Sequence, residues 1–122
     1  MEQQLWQKTI RLEQHEERRY LRFPVVVPEG CESLHVSYDY ERRRSSVSEN
    51  GREDREVATI DLLLEAPDGY IGSSGSARQA VHISALETTP GYRRGRPEAG
   101  EWQVVLGTYR IPEEGLEVEI SV

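Results

Sequence analysis

Residues that build covalent or metal cross-links are scarce: the 122-residue chain has one cysteine, Cys31, and three histidines, His15, His35 and His82. An intrachain disulfide and a cysteine-built zinc cage are excluded, and a reducing, cytoplasmic compartment is expected. Lysine is nearly missing too. Lys8 is the single one among 15 cationic residues, and the arginine that replaces it favours planar, multi-donor contacts with carboxylates and phosphates. Apolar runs stop at three residues, as at Val25–Val27 and Leu62–Leu64, too short for a transmembrane helix or a secretory signal core.

What is present in quantity is acid. Twenty-two Asp and Glu against 15 Lys and Arg leave a net charge of -7, which argues against nucleic acid or an anionic membrane as partner. With 36% hydrophobic and 30% charged residues and a mean hydropathy of -0.68, the composition is that of a soluble globule with a modest core. The length fits one domain spanning residues 1–122.

Hydrophobic alternation with period two recurs along the chain, and no helical stripe lasts beyond about two turns. Leu116, Val118, Ile120 and Val122 share a face opposite Glu117, Glu119 and Ser121; Trp102, Val104 and Leu106 do so opposite Gln103, Val105 and Gly107. Leu34, Val36, Tyr38 and Tyr40 lie likewise opposite His35, Ser37 and Asp39. Further strands are expected near Lys8–Gln14, Tyr20–Val27, Val57–Glu65, Ala80–Ala85 and Thr108–Pro112, separated by glycine turns at Gly30, Gly51, Gly69 and Gly100. The expectation is an all-β, antiparallel, jelly-roll-like sandwich of about seven to eight strands. Two stretches break the pattern. Residues 41–56 carry five Arg, five acids and one apolar side chain, Val47, and read as a long polar hairpin or mobile loop. In residues 68–78, three Gly and three Ser leave only Tyr70 and Ile71 to pack.

Local motifs supply no chemistry. Gly69, Gly72 and Gly75 match neither a phosphate loop nor a dinucleotide fingerprint, and Ser74 lacks the second glycine of a nucleophile elbow because position 76 is Ser76. His15-Glu16 opens like a zinc-protease helix, but Arg19 stands where the second histidine belongs. The three histidines sit far apart in sequence and are expected to be ordinary strand or surface residues, with no metal, cofactor or catalytic group assigned. Asp39, Glu41 and Asp68 are the loop carboxylates that could meet calcium. Arg42, Arg43 and Arg44 together with Arg93, Arg94 and Arg96 could form a basic patch, and Tyr70, Tyr92, Trp102 and Tyr109 an aromatic platform.

Four segments carry a family resemblance. They are Tyr20-Leu21-Arg22-Phe23-Pro24-Val25-Val26-Val27-Pro28-Glu29-Gly30; Leu34-His35-Val36-Ser37-Tyr38-Asp39-Tyr40; Gly72-Ser73-Ser74-Gly75-Ser76-Ala77-Arg78; and Thr89-Pro90-Gly91-Tyr92 followed by Pro97 to Tyr109. Together they resemble the N-terminal β-sandwich domain that precedes the PHP catalytic domain in carbaryl-hydrolase-like metallohydrolases, the CehA/McbA family. In that family the metal ligands lie downstream, in a domain opening with His-x-His, and this sequence has no His-x-His. The resemblance therefore implies a non-catalytic accessory domain that docks against or positions a PHP-type catalytic domain, in cis or in trans. Arg78, Tyr92, Arg93 and Arg94, on the two most family-like loops, are the expected contact residues. The alternative is a carbohydrate- or small-ligand-binding module stacking its ligand on Trp102 or Tyr92, and self-association through the edge strands stays open.

Overall fold

A computed structural model describes residues 4–48, 51–76 and 79–122. Strand alternation decides the architecture. Each amphipathic strand buries one face, and two sheets close over the shared core. One sheet is formed by β1 (Gln7–Leu12), β10 (Leu116–Ser121), β3 (Ser33–Asp39) and β8 (Ala80–Ser84), in the spatial order β1-β10-β3-β8. The other holds β2 (Tyr20–Val27), β9 (Gly100–Arg110), β6 (Thr59–Glu65) and β7 (Ile71–Gly75), in the order β2-β9-β6-β7. Between β3 and β6 the chain makes a separate hairpin of β4 (Arg43–Ser48) and β5 (Gly51–Glu56). All pairings are antiparallel, and among the sandwich strands only β6 and β7 are consecutive within one sheet.

The all-β sandwich expected from the sequence is thus what the chain forms, with eight strands in its two sheets. Some details differ. β7 falls in the Gly/Ser-rich stretch set aside as irregular, and Thr108–Arg110 is the end of the eleven-residue β9 instead of a strand of its own. Within the stretch 41–56, read as a polar hairpin or loop, β4 and β5 pair antiparallel.

Leu34, Val36 and Tyr38 of β3, Ile60, Leu62 and Leu64 of β6, Trp102, Val104 and Leu106 of β9 and Val118 and Ile120 of β10 all join one buried cluster. Two hydroxyls tie the sheets together where the ladder is imperfect. Pairing between β6 and β9 slips between Thr59 and Ile60, and β7 reaches no further than Gly75 opposite Leu62. The Ile60 carbonyl accepts the Tyr38 hydroxyl at 2.9 Å, and the Ile60 N–H donates to the Tyr40 hydroxyl at 3.0 Å. Buried backbone groups that a regular strand partner would satisfy are thus satisfied from the facing sheet.

Burial pushes the Tyr38 phenol from 10.0 up to about 12, and burial raises Tyr40 as well. The folded chain keeps these protons where unfolded tyrosine releases them, so stability falls as pH rises from 10.0 towards about 12. Tyr38→Phe should cost about 0.5–1.5 kcal/mol near neutrality, one hydrogen bond. It should also make that alkaline loss shallower. Urea unfolding at neutral and alkaline pH measures both, and an unchanged alkaline slope would count against the assignment.

Candidate binding surfaces

The turn after β8 is docked on β7 by steric fit. Gly72 has no Cβ, and the Tyr92 ring occupies the space one would fill. Gly91, at φ +98°, sits so close to the Ser73 carbonyl that only glycine fits. The Ser73 N–H donates to the Gly91 carbonyl at 3.1 Å. Pairing of β6 with β7 slips between Leu62 and Leu63, leaving Ser74 as the extra residue, and its hydroxyl meets the Tyr92 hydroxyl at 3.0 Å. The half-buried Tyr92 also donates to the Leu62 carbonyl at 3.3 Å, and burial raises its pKa. Tyr92 therefore holds the loop in place.

Its neighbours show a different character. Arg93 lies over the Tyr70 ring at 4.5 Å and pairs with Asp68 at 2.8 Å, while the Tyr70 N–H donates to the same carboxylate at 3.1 Å. The Arg93 hydrogen bond first, and that N–H second, hold the Asp68 carboxyl below the usual carboxylate range. Ile71 beside them is 51% exposed. Arg94 donates to the Ala85 and Leu86 carbonyls at 3.3 and 3.0 Å, fixing the turn that presents an exposed Leu86. Arg78, the fourth expected contact residue, lies outside the described residues.

Of the arginines that could form a basic patch, two others make separate contacts. Arg42 stacks on Tyr40 at 4.5 Å and donates to the Ser76 carbonyl at 2.6 Å, whereas Arg96 reaches Glu32 at 3.8 Å. Trp102 is a core residue, 7% exposed, with its indole N–H on the Glu98 carbonyl at 2.8 Å, and it offers no stacking face.

The outer face of the second sheet does offer aromatic surface. Tyr20 pairs with Gly107 across β2 and β9, and a Cβ on Gly107 would meet both the Tyr20 ring and Asp61, at 3.3 Å each. Tyr109, the extra residue where β9 slips against β6, is 67% exposed and Tyr20 72%. Partial burial raises the Asp61 carboxyl. The sequence places Tyr20 on a strand but does not reveal it as aromatic surface, because nothing local shows that its partner is a glycine.

Among the described residues no three His, Cys, Asp or Glu side chains converge on a metal-sized site, the calcium candidates Asp39, Glu41 and Asp68 included. His35 and His82, unconnected in the sequence, are direct partners across β3 and β8. No helix among these residues is long and apolar enough to cross a membrane. No protein-family model matches the chain, and no curated protein does.

Gly91→Ala should destabilise the fold by about 1–3 kcal/mol, from strain at positive φ and the collision with Ser73. Tyr92→Phe should cost only about 0.5–1.5 kcal/mol, because the ring still fills the gap over Gly72. Denaturant unfolding compares the two, and a tolerated Gly91→Ala would contradict the steric account.

Proposed function

We propose that this chain is a non-catalytic interaction module, a jelly-roll-like accessory domain that docks against and positions a PHP-type metal-dependent hydrolase domain, in cis or in trans. The sheet orders β1-β10-β3-β8 and β2-β9-β6-β7 fit a jelly roll carrying the β4–β5 hairpin as an insertion. The observation that carries the docking role is the patch of Arg93, Tyr70 and Ile71. Its arginine is already stacked and ion-paired, and its loop is locked by Tyr92, so a partner that meets it need order little. A cytoplasmic location belongs to this reading, supported by the single, unbridged Cys31.

The test is isothermal titration of the chain with a separately purified PHP-type catalytic domain. Arg93→Ala and Tyr70→Ala should each weaken binding at least about tenfold, the scale of an interface anchor, whereas Tyr92→Phe should leave it near wild type. No heat with the wild-type chain, or wild-type affinity in Arg93→Ala, would overturn the proposal.

A second reading is favoured by Tyr20, exposed over Gly107 beside the partly buried Asp61, with exposed Tyr109 two residues further along β9, an arrangement suited to stacking a sugar ring and hydrogen-bonding its hydroxyls. Addition of a β-glucan oligosaccharide should then shift the NMR signals of both tyrosines, and Tyr109→Ala should abolish the response. Unmoved signals would dismiss it.

A further inference from the structure

Strand register makes a site that no local motif announces. In the β3–β8 pairing Leu34 faces Ile83, His35 faces His82 and Val36 faces Val81. The flanking aliphatic side chains are buried, so the two imidazoles stand together on the outer face. His35 is exposed and His82 half-buried, with ring centroids 4.2 Å apart. Nδ1 of His82 lies 3.1 Å from Nε2 and 3.2 Å from Nδ1 of His35.

A serine sets the His82 tautomer. The Ser84 hydroxyl donates to the Glu87 carbonyl at 2.7 Å, which commits its one proton. Its lone pairs accept the Glu87 N–H at 3.0 Å and His82 Nε2 at 3.2 Å. His82 must therefore carry its proton on Nε2, leaving a bare lone pair on Nδ1 that faces His35. A ring nitrogen fixed through an oxygen partner on the opposite nitrogen is the arrangement that prepares histidine as a metal ligand. The spacing agrees. Ligands about 2.0–2.1 Å from a four-coordinate ion are roughly 2.9–3.4 Å apart, a range that includes the separations seen here.

We propose that His35 and His82 chelate one borderline divalent transition-metal ion, such as Zn²⁺, Ni²⁺ or Cu²⁺, on the outer face of the first sheet. Ser84 orients His82 from the outer shell. The other coordination positions stay open to water or to a donor on an incoming molecule. His35 also lines a groove of about 840 Å³ that runs past Cys31 and Glu32, which gives such a molecule an approach. Imidazole favours these metals over calcium or magnesium, and the divalent series places Cu²⁺ tightest. The site is separate from the docking patch and does not depend on it.

The test uses the untagged full chain. Calorimetric titration with ZnCl₂ should give one ion per chain, and substoichiometric Cu²⁺ should broaden the imidazole NMR signals of His35 and His82 while sparing those of the exposed His15. His35→Gln and His82→Gln, checked for fold by circular dichroism, should each remove binding. Ser84→Ala should weaken it about 10–100-fold, the usual effect of losing an outer-shell partner. Because His35 is exposed, its variant remains informative if Ser84→Ala does not fold. No binding by the wild-type chain, or undiminished binding in folded His35→Gln, would overturn the assignment.

Discussion

Burial of one face of each sheet against the other is the constraint on which the rest of this molecule depends. It requires every second residue of the central strands to be apolar, and it places those side chains in a single cluster from Leu12 to Ile120. It also sets a problem wherever a ladder ends or slips, because backbone groups there face an apolar interior with no strand partner. Tyrosine solves that problem twice. Tyr38 of β3 and Tyr40 just past its end reach the Ile60 backbone, and Tyr92 reaches from the turn after β8 to the Leu62 carbonyl and the Ser74 hydroxyl. Each aromatic ring contributes apolar area to the core while its hydroxyl closes a polar gap.

The ladder slips also coincide with the candidate surfaces. One leaves Ser74 out of register and available to Tyr92; the other leaves Tyr109 out of register and exposed to solvent. Irregular pairing re-aims individual side chains on a sandwich whose core strands stay regular, a common way for sheets to acquire sites without losing stability.

How much of this was legible in the sequence follows from the range of each interaction. Alternation is local, so β2, β3, β6, β9 and β10 could be read directly, as could the buried faces of Trp102 and Leu116. β7 could not, because Gly72 and Gly75 give it no strand pattern; it is a strand by virtue of pairing with β6 and receiving the Tyr92 ring. The Thr89-Pro90-Gly91-Tyr92 turn was recognisable as a loop with an aromatic anchor, but that Arg94 spends its donors on Ala85 and Leu86 was not. The histidine pair was wholly hidden. His35 and His82 are 47 residues apart, and only the β3–β8 register brings them face to face.

The same register arguments bear on self-association. A small sandwich has four open edges, each a template for pairing with another copy. On β8 the backbone N–H and carbonyl of His82 are both taken by Thr89, at 2.9 and 2.8 Å, and on β7 the Ser73 N–H is taken by Gly91. Residues 88–92 thus run as one strap that covers an edge of each sheet. On the far side, β2 carries Pro24, which has no N–H to offer, and β1 carries Lys8 and Arg11. Strand addition is blunted at all four edges, by a covering strap, a proline or cationic side chains. With the backbone edges covered or blunted, the exposed features left on the surface are side chains, among them Arg93 stacked on Tyr70, Tyr20 over Gly107, and the paired imidazoles of His35 and His82.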